Sequence, residues 1–212
     1  MEMSEAPATR GRSRKYEQTL AQIYQAAVEV FAAEGLSGAT TQAIAEHAGL
    51  SKPQLHYYIE SKEALYRQVL QDILDDWIGV FGFSDEAFGP RKVLGDLVRR
   101  KMQFSFEHPL RSRIFTAEMM RGGMVLRPMM DAASKRRTQQ AEAVIRHWIA
   151  RGEMADMDPM LLLFHIWAVT QFYADHAAQV RYFLGARAED VRAREALVEE
   201  VVAFVLRGAA VR

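Results

Sequence analysis

The sequence predicts an all-α protein of about nine helices. Three observations predict this fold class. Apolar residues recur at helical spacing in one segment after another, glycines and prolines separate these segments, and no two alternating strand patterns are joined by a hairpin turn. Half of the 212 residues are hydrophobic and a quarter are charged, which is the usual composition of a folded globular protein.

The first helix is predicted from Tyr16 to near Gly35, where a single apolar stripe at helical period ends. The residues before it, 1–14, are small, charged and contain a proline, so we expect a flexible basic arm. Such an arm can follow the phosphate backbone of DNA or enter its minor groove, and it can equally remain a solvated tail. Its candidate DNA contacts are Arg10, Arg12 and Arg14.

Residues 40–58 show the pattern of two short helices and a sharp turn between them. Thr40 is suited to cap the first of these helices, because its hydroxyl can accept a free amide of the first turn. Gly49 follows where that helix must stop, and a left-handed backbone costs glycine little. Ser51 then caps the next helix, and Pro53 near its start loses no needed hydrogen bond. This is the spacing of a helix-turn-helix.

The second helix of this motif presents polar side chains away from the core, which Leu55 and Tyr58 would face. These polar side chains are of the types that contact phosphates and base edges of DNA. A helical hairpin with no DNA-binding role is the alternative. The agreement of both caps, the glycine and the proline favours a DNA-binding motif. The outward residues are Lys52, Gln54, His56 and Tyr57.

Further helices follow along the rest of the chain. Ser61 caps a fourth helix that extends to about Phe81. We therefore expect a helix-turn-helix domain at 15–61 and a larger helical domain for ligand binding and dimerisation at 62–212. Glycines and prolines divide the larger domain into a fifth helix at about 91–107, a sixth at about 110–121, a seventh from Pro128 to near Gly152, an eighth from Pro159 and a ninth at about 187–207.

The eighth helix carries apolar residues around nearly its whole circumference, so one buried face cannot account for them. We expect one side to pack within its own domain and the other to pack against a second copy of the chain. Helices near 158–183 and 187–207 would then form the interface of a homodimer. A dimer places two motif helices about one DNA turn apart, which suits a palindromic double-stranded operator. The ninth helix would contribute Val198, Val201, Val202 and Val205.

Composition and motif content exclude several classes of function. Lys plus Arg and Asp plus Glu number 27 each, so net charge gives no support to nucleic-acid binding. The chain has no cysteine, and its six histidines lack metal-ligand spacing. No phosphate-binding loop or nucleophile elbow occurs, so we expect no catalytic residues, no metal and no cofactor. We also expect a cytoplasmic protein without membrane contact, because no leader or long apolar run is found. An all-helical enzyme that merely contains a helix-turn-helix is a distant alternative.

A resemblance to the TetR family of transcriptional regulators is carried by the motif and by the residues after it, Tyr57-Tyr58-Ile59-Glu60-Ser61-Lys62-Glu63-Ala64-Leu65-Tyr66. The resemblance covers residues 16–66 and implies an all-helical dimer with a ligand pocket in the larger domain. It also implies that Gln54 touches a base edge while Tyr57 and Lys62 hold phosphates. Two positions depart from the family pattern. Pro53 replaces a small residue, which implies an altered operator rather than a loss of binding, and His56 replaces a common tyrosine, so the contact of that tyrosine does not carry over. The implied DNA contacts are Thr40, Lys52, Gln54, His56, Tyr57 and Lys62.

Beyond residue 66, the chain is similar to the RutR subgroup of that family, whose members respond to uracil and sometimes to thymine. The similarity is carried by Leu74-Asp75-Asp76-Trp77, by Ser112-Arg113-Ile114-Phe115 with Glu118-Met119, and by Ile166-Trp167-Ala168-Val169-Thr170-Gln171-Phe172-Tyr173-Ala174-Asp175. It implies a pyrimidine-like effector. A multidrug- or lipid-responsive repressor is the alternative, because an aromatic and methionine-rich cavity would serve it equally well.

A planar base needs an aromatic face to stack on and a few matched donors and acceptors. Trp167 and Gln171 are four residues apart and therefore share a helix face, where the ring could stack and the amide could pair with the base. A structural hydrogen bond at the dimer interface is the alternative role for Gln171. For the other aromatic residues and the methionine, a place in the apolar core is the alternative to a place in the pocket. The candidate ligand residues are Trp77, Phe81, Phe104, Phe115, Met119, Trp167, Gln171 and Tyr173.

Overall fold

A computed structural model describes residues 8–81, 88–130 and 132–211, with side chains described for 14–77, 88–130 and 135–211. Within these ranges the regular structure is entirely helical, as predicted. The chain divides into two compact units, Met1–Gln71 and Asp72–Arg212. The helices are α1 (Ala8–Gly38), α2 (Thr41–His47), α3 (Lys52–Tyr58), α4 (Lys62–Phe81), α5 (Gly89–Glu107), α6 (Pro109–Met120), α7 (Ala132–Ala150), α8 (Pro159–Asp175), α9 (Ala177–Leu184) and α10 (Val191–Gly208).

The first unit contains the predicted helix-turn-helix. Helix α1 packs against α2, and α2 packs against α3. Gly35 interrupts α1 three residues before its end, with φ 64° and ψ 179°, and Gly49 follows α2 with φ 67°. Both positions where the sequence predicts a helix to stop therefore use a positive φ, which glycine tolerates. Ile44 and Leu55 are fully buried, and the rings of Phe31 and Tyr66 meet edge to face at 4.9 Å. These residues form part of the apolar core of the first unit.

Four helix boundaries differ from the prediction. Helix α10 begins at Val191 rather than near residue 187, because a short 3₁₀ helix at Gly185–Ala188 precedes it. Helix α1 begins at Ala8 rather than Tyr16, because alanine and arginine before Tyr16 are good helix formers. Pro128 lies in the turns before α7 and does not begin that helix. The predicted eighth helix is two helices, α8 and α9, separated at His176 by a backbone of φ −111° and ψ 31°. The described ranges therefore hold ten α-helices rather than nine.

Helix α5 is the centre of the second unit, where it packs against α7, α8 and α10. The core between these helices includes Leu97, Met102 and Trp148, each at most 1% exposed. Ser105 on α5 is also buried, and its hydroxyl donates to the carbonyl of Thr170 on α8 at 3.0 Å. Burial of such large side chains contributes about 1.5–3 kcal/mol each, so this core holds α8 in a fixed register against α5.

Helices α8 and α10 have one buried and one exposed apolar face. Val201, Val202 and Val205 are buried in the core of their own unit, so the prediction that they form a dimer interface is wrong. They pack inward because the apolar stripe of α10 faces α5. The outward apolar residues of the two helices include Leu161, Phe164, Phe172 and Phe204, which are 40–60% exposed.

Candidate nucleic-acid interface and ligand cavity

The start of each motif helix is fixed by a side-chain cap. The hydroxyl of Thr40 accepts the amide of Ala43 at 3.0 Å, as the sequence predicts for α2. At α3, the Ser51 hydroxyl accepts a hydrogen bond from the backbone N–H of Gln54 at 3.4 Å. The backbone N–H of Ser51 in turn donates to the side-chain oxygen Oε1 of Gln54 at 2.8 Å. This reciprocal pair is a capping box, which satisfies two amides that the first helical turn leaves free. Helix α3 therefore begins at a defined residue.

Helix α3 presents an exposed polar surface. Lys52 and His56 are exposed, and 76% of the Tyr57 side chain is open to solvent. The Tyr57 ring meets Tyr58 edge to face at 5.1 Å, and Tyr58 in turn lies 5.1 Å from Tyr16 on α1. The contact with Tyr58 restricts the position of the Tyr57 ring, while most of its side chain remains accessible to solvent. A positively charged and hydrogen-bonding helix surface of this kind suits contact with a DNA groove.

Two other predicted DNA contacts have partners within the protein. Gln54 Oε1 serves the capping box, which leaves the side-chain amide nitrogen as the group available for a base. The ammonium of Lys62 donates to the carbonyls of Leu36 and Ala39, both at 2.8 Å, and lies 4.0 Å from Glu63. Lys62 thus stabilises the carboxyl end of α1.

The three arginines of the predicted basic arm lie on the first turns of α1. Arg14 is exposed, whereas the side chains of Arg10 and Arg12 lie outside the described residues.

The second unit contains a cavity of about 400 Å³ that is partly open to solvent. This volume lies within the range of small-molecule sites, which are about 300–1,000 Å³ and mostly apolar. Helices α4 and α6 supply Leu74, Trp77, Phe115, Thr116 and Met119 to its wall. The rest of the wall consists of Met130, Arg137, Thr138, Ala141, Leu163, Trp167, Ala168 and Gln171.

The cavity brings together five of the residues predicted to bind a ligand, namely Trp77, Phe115, Met119, Trp167 and Gln171. Phe104 does not line it but packs edge to face on Trp77 at 6.5 Å between ring centroids. Tyr173 packs against the core of its unit, 5.7 Å from the ring of Phe106. The side chain of Phe81 lies outside the described residues.

Gln171 offers an acceptor to the cavity. Its side-chain nitrogen donates to Asp175 Oδ1 at 3.0 Å, one helical turn further along α8. Its Oε1 is buried and has no hydrogen-bond partner in the described part of the chain. A buried acceptor without a donor costs about 1–3 kcal/mol, which a ligand N–H would recover. The pairing with Asp175 fixes the amide so that the oxygen is the free group.

Sequence reasoning missed Arg137, whose Nη1 is buried and also has no hydrogen-bond partner among the described residues. Arg137 stands one helical turn before Ala141 and two before Ile145, both of which are buried. A residue on the extension of a buried stripe faces the same way as that stripe. This register was the signal that could have identified Arg137.

Trp77, which lines the cavity, contacts both Phe115 and Lys101. Its ring centroid lies 3.9 Å from that of Phe115, and the Lys101 ammonium lies 3.9 Å from the same tryptophan ring. Lys101 is only 1% exposed. Burial lowers the pKa of Lys101 to about 8, against an opposing effect of the Asp175 carboxylate. Sequence reasoning did not identify this lysine, because the apolar stripe of α5 gives no reason for an ammonium in the core.

Two further observations concern the described residues alone. None of the helices there combines the length and the hydrophobicity that crossing a membrane requires. No three His, Cys, Asp or Glu side chains in these ranges are close enough together to hold a metal ion.

Comparison with known proteins gives consistent matches over both units. Residues 23–69 match the profile of bacterial regulatory proteins of the tetR family, and residues 70–212 match the C-terminal region of YcdC-like proteins. The chain is 37% identical over 197 residues to the HTH-type transcriptional regulator RutR of Escherichia coli (strain K12), with 93% of each chain covered.

Solved structures of low sequence identity share the fold. The ketosteroid transcriptional regulator KstR2 of Mycobacterium tuberculosis superposes with a TM-score of 0.67 at 18% identity, covering 89% of this chain and 93% of that one. AibR, solved in complex with isovaleryl coenzyme A and operator DNA, superposes with a TM-score of 0.57 at 15% identity, covering 74% and 85%.

Proposed function

The chain belongs to the TetR family of transcriptional regulators, and we propose that it is a homodimeric repressor that leaves a palindromic operator when a pyrimidine-like effector binds. It is a ligand-responsive, DNA-binding regulator. We assign DNA recognition to residues 15–61 and effector binding and dimerisation to residues 62–212. We propose no catalytic activity for it, and we place it in the cytoplasm because a bacterial operator lies there.

The exposed face of α3 supports the assignment of DNA contacts. Lys52 and Tyr57 are exposed on the second helix of the motif, which enters the major groove in proteins of this architecture. Lys52 and the Tyr57 hydroxyl suit phosphates, and the side-chain nitrogen of Gln54 suits a base edge. Arg10, Arg12 and Arg14 would follow the backbone beside the motif.

The cavity supports a planar effector with an N–H donor. Trp77 and Trp167 offer aromatic surfaces, and the free oxygen of Gln171 accepts a hydrogen bond. A pyrimidine ring with an imide N–H matches both features. The single observation that carries this proposal is the buried Gln171 Oε1 without a donor. The resemblance to the RutR subgroup, which the 37% identity to RutR of Escherichia coli supports, is the reason for choosing uracil and thymine as the first compounds.

Effector control requires that the ligand binds two conformations with different affinity. Helix α4 carries Lys62 near its start and Trp77 near its end. We propose that a shift of Trp77 on ligand binding is transmitted through α4 and changes the spacing of the two α3 helices in the dimer.

The experiment is fluorescence anisotropy of the full chain on labelled DNA from its own promoter region. Lys52→Ala is expected to weaken binding and to reduce the slope of log affinity against log salt by about 2, because each of the two protomers on the operator loses one phosphate contact. Lys135→Ala removes an exposed lysine from α7 and should leave the slope unchanged. An unchanged slope in Lys52→Ala would show that the assignment of the reading helix is wrong.

The same assay tests the effector. Uracil or thymine should release the DNA from the unmodified protein and not from Gln171→Leu, which loses the acceptor. Gln140→Leu, an exposed change on α7, should still respond. Release by hydrophobic cations or fatty acids and not by any pyrimidine would instead favour the multidrug- or lipid-responsive alternative.

A further inference from the structure

The cavity contains a guanidinium group whose hydrogen-bonding capacity is not fully used. Arg137 lines the cavity, and its Nη1 is buried without a hydrogen-bond partner in the part of the chain that the structure describes. The other lining residues are apolar or neutral, and none of the residues described there is Asp or Glu. Burying a charged donor without an acceptor is unfavourable, so an acceptor on a bound ligand would stabilise Arg137.

Lys101 adds positive potential behind the aromatic wall. Its ammonium lies 3.9 Å from the ring of Trp77, which lines the cavity. With a pKa of about 8, Lys101 keeps its proton at neutral pH. The carboxylate of Asp175, which accepts a hydrogen bond from the Gln171 side chain, adds a negative charge that interacts with Lys101. Arg111 is neutralised by Asp76 at 2.6 Å. Of these groups, Arg137 and Lys101 together outweigh Asp175 by one positive charge.

We infer that the effector is a planar ring that bears a carboxylate, with the carboxylate on Arg137 and the ring against Trp77 and Trp167. This inference rests on the proposed function, because it specifies the effector of the same cavity. The planar guanidinium matches the geometry of a carboxylate, and a charge-assisted hydrogen bond between them is stronger than one between neutral groups. A cavity of about 400 Å³ leaves room for a substituent on a pyrimidine ring.

Isothermal titration of the full chain with three ligands tests the charge. The ligands are uracil, its 6-carboxylate and its 6-carboxamide, which is a neutral analogue of nearly the same shape. The carboxylate should bind at least about tenfold more tightly than the carboxamide, as expected of one charge-assisted hydrogen bond. Arg137→Gln should abolish this preference, so that carboxylate and carboxamide bind within about twofold of each other.

Two variants separate charge from folding. Arg137→Lys keeps the charge and should retain part of the preference for the carboxylate. Arg136→Gln changes the exposed neighbour on α7 and should retain all of it. Equal binding of carboxylate and carboxamide by the unmodified protein overturns the inference, as does a preference that survives in Arg137→Gln.

Failure of the inference and failure of the proposed effector class are distinguishable. Uracil binding without a preference for the carboxylate overturns only the inference. If no pyrimidine binds, benzoate and nicotinate are compared with their amides. A preference for these carboxylates that depends on Arg137 then supports the charge inference and overturns the pyrimidine effector. The absence of any carboxylate preference overturns both.

Discussion

A single buried ammonium controls the pH dependence expected at the residue scale. Lys101 has a pKa of about 8 in the folded chain and 10.5 as its ordinary value. The unfolded chain therefore binds more protons between these values, and folding stability rises as pH increases from about 8 to 10.5. Below pH 8 the destabilisation is complete and amounts to roughly 3 kcal/mol by the same difference in pKa.

We predict that Lys101→Met stabilises the protein at pH 7 by roughly 1–3 kcal/mol, because methionine fills the space without a charge to desolvate. The gain should diminish as pH rises from about 8 towards 10.5, where lysine in both states loses its proton. Urea denaturation at a fixed protein concentration measures it. Lys135→Met, at an exposed site, should show neither effect. A variant that is less stable at pH 7, or a difference independent of pH, contradicts the prediction.

At the scale of the element, α3 depends on its cap. The first turn of this seven-residue helix is held by the reciprocal bonds of Ser51 and Gln54. A helix this short is not stable by itself, so its start is the part most easily lost. Any weakening of the cap should affect both the stability of α3 and the alignment of its exposed residues with DNA.

We predict that Ser51→Ala destabilises α3 by about 1 kcal/mol and weakens operator binding, whereas Ser51→Thr keeps the acceptor and retains both. Hydrogen exchange of the α3 amides measures the first effect, and DNA anisotropy measures the second. Ser61→Ala serves as the control. It removes the comparable cap of α4, where the backbone N–H of Ala64 donates to the Ser61 hydroxyl at 3.0 Å. It should lower stability without faster exchange in α3. Equal exchange in Ser51→Ala and the unmodified chain would contradict the argument.

The sequence predicts well those elements whose ends are determined by residues close in the chain. Thr40, Gly49 and Ser51 act through bonds or backbone angles within a few residues, and the structure confirms their caps and stop. The break at His176 was missed, because neither glycine nor proline marks it. Arg137 and Lys101 were missed for a different reason. Their surroundings come from other helices, and a stripe on one helix does not reveal what packs against it.

At the scale of the whole molecule, α8 and α10 of the second unit expose apolar side chains, as the proposed dimer requires. Phe204 on α10 is 60% exposed, Leu161 and Phe164 on α8 are 53% and 48% exposed, and Phe172 is 40% exposed. Exposed apolar residues grouped on neighbouring helices mark an association surface. Because the valines of α10 are committed to its own core, these outward side chains are the ones that would meet a second copy.

We predict that Phe204→Glu converts the dimer to monomers, because a dimer would have to bury the new carboxylate without a partner. Each monomer carries one reading helix, so affinity for a palindrome should fall by about a hundredfold or more, while affinity for a half-site changes little. Sedimentation velocity measures the first effect and anisotropy the second. Met124→Glu, a similar change at a residue that is 78% exposed on the α6 to α7 connection, serves as the control. A dimeric Phe204→Glu protein would place the association surface elsewhere, whereas a monomer with full affinity for the palindrome would separate dimerisation from DNA reading.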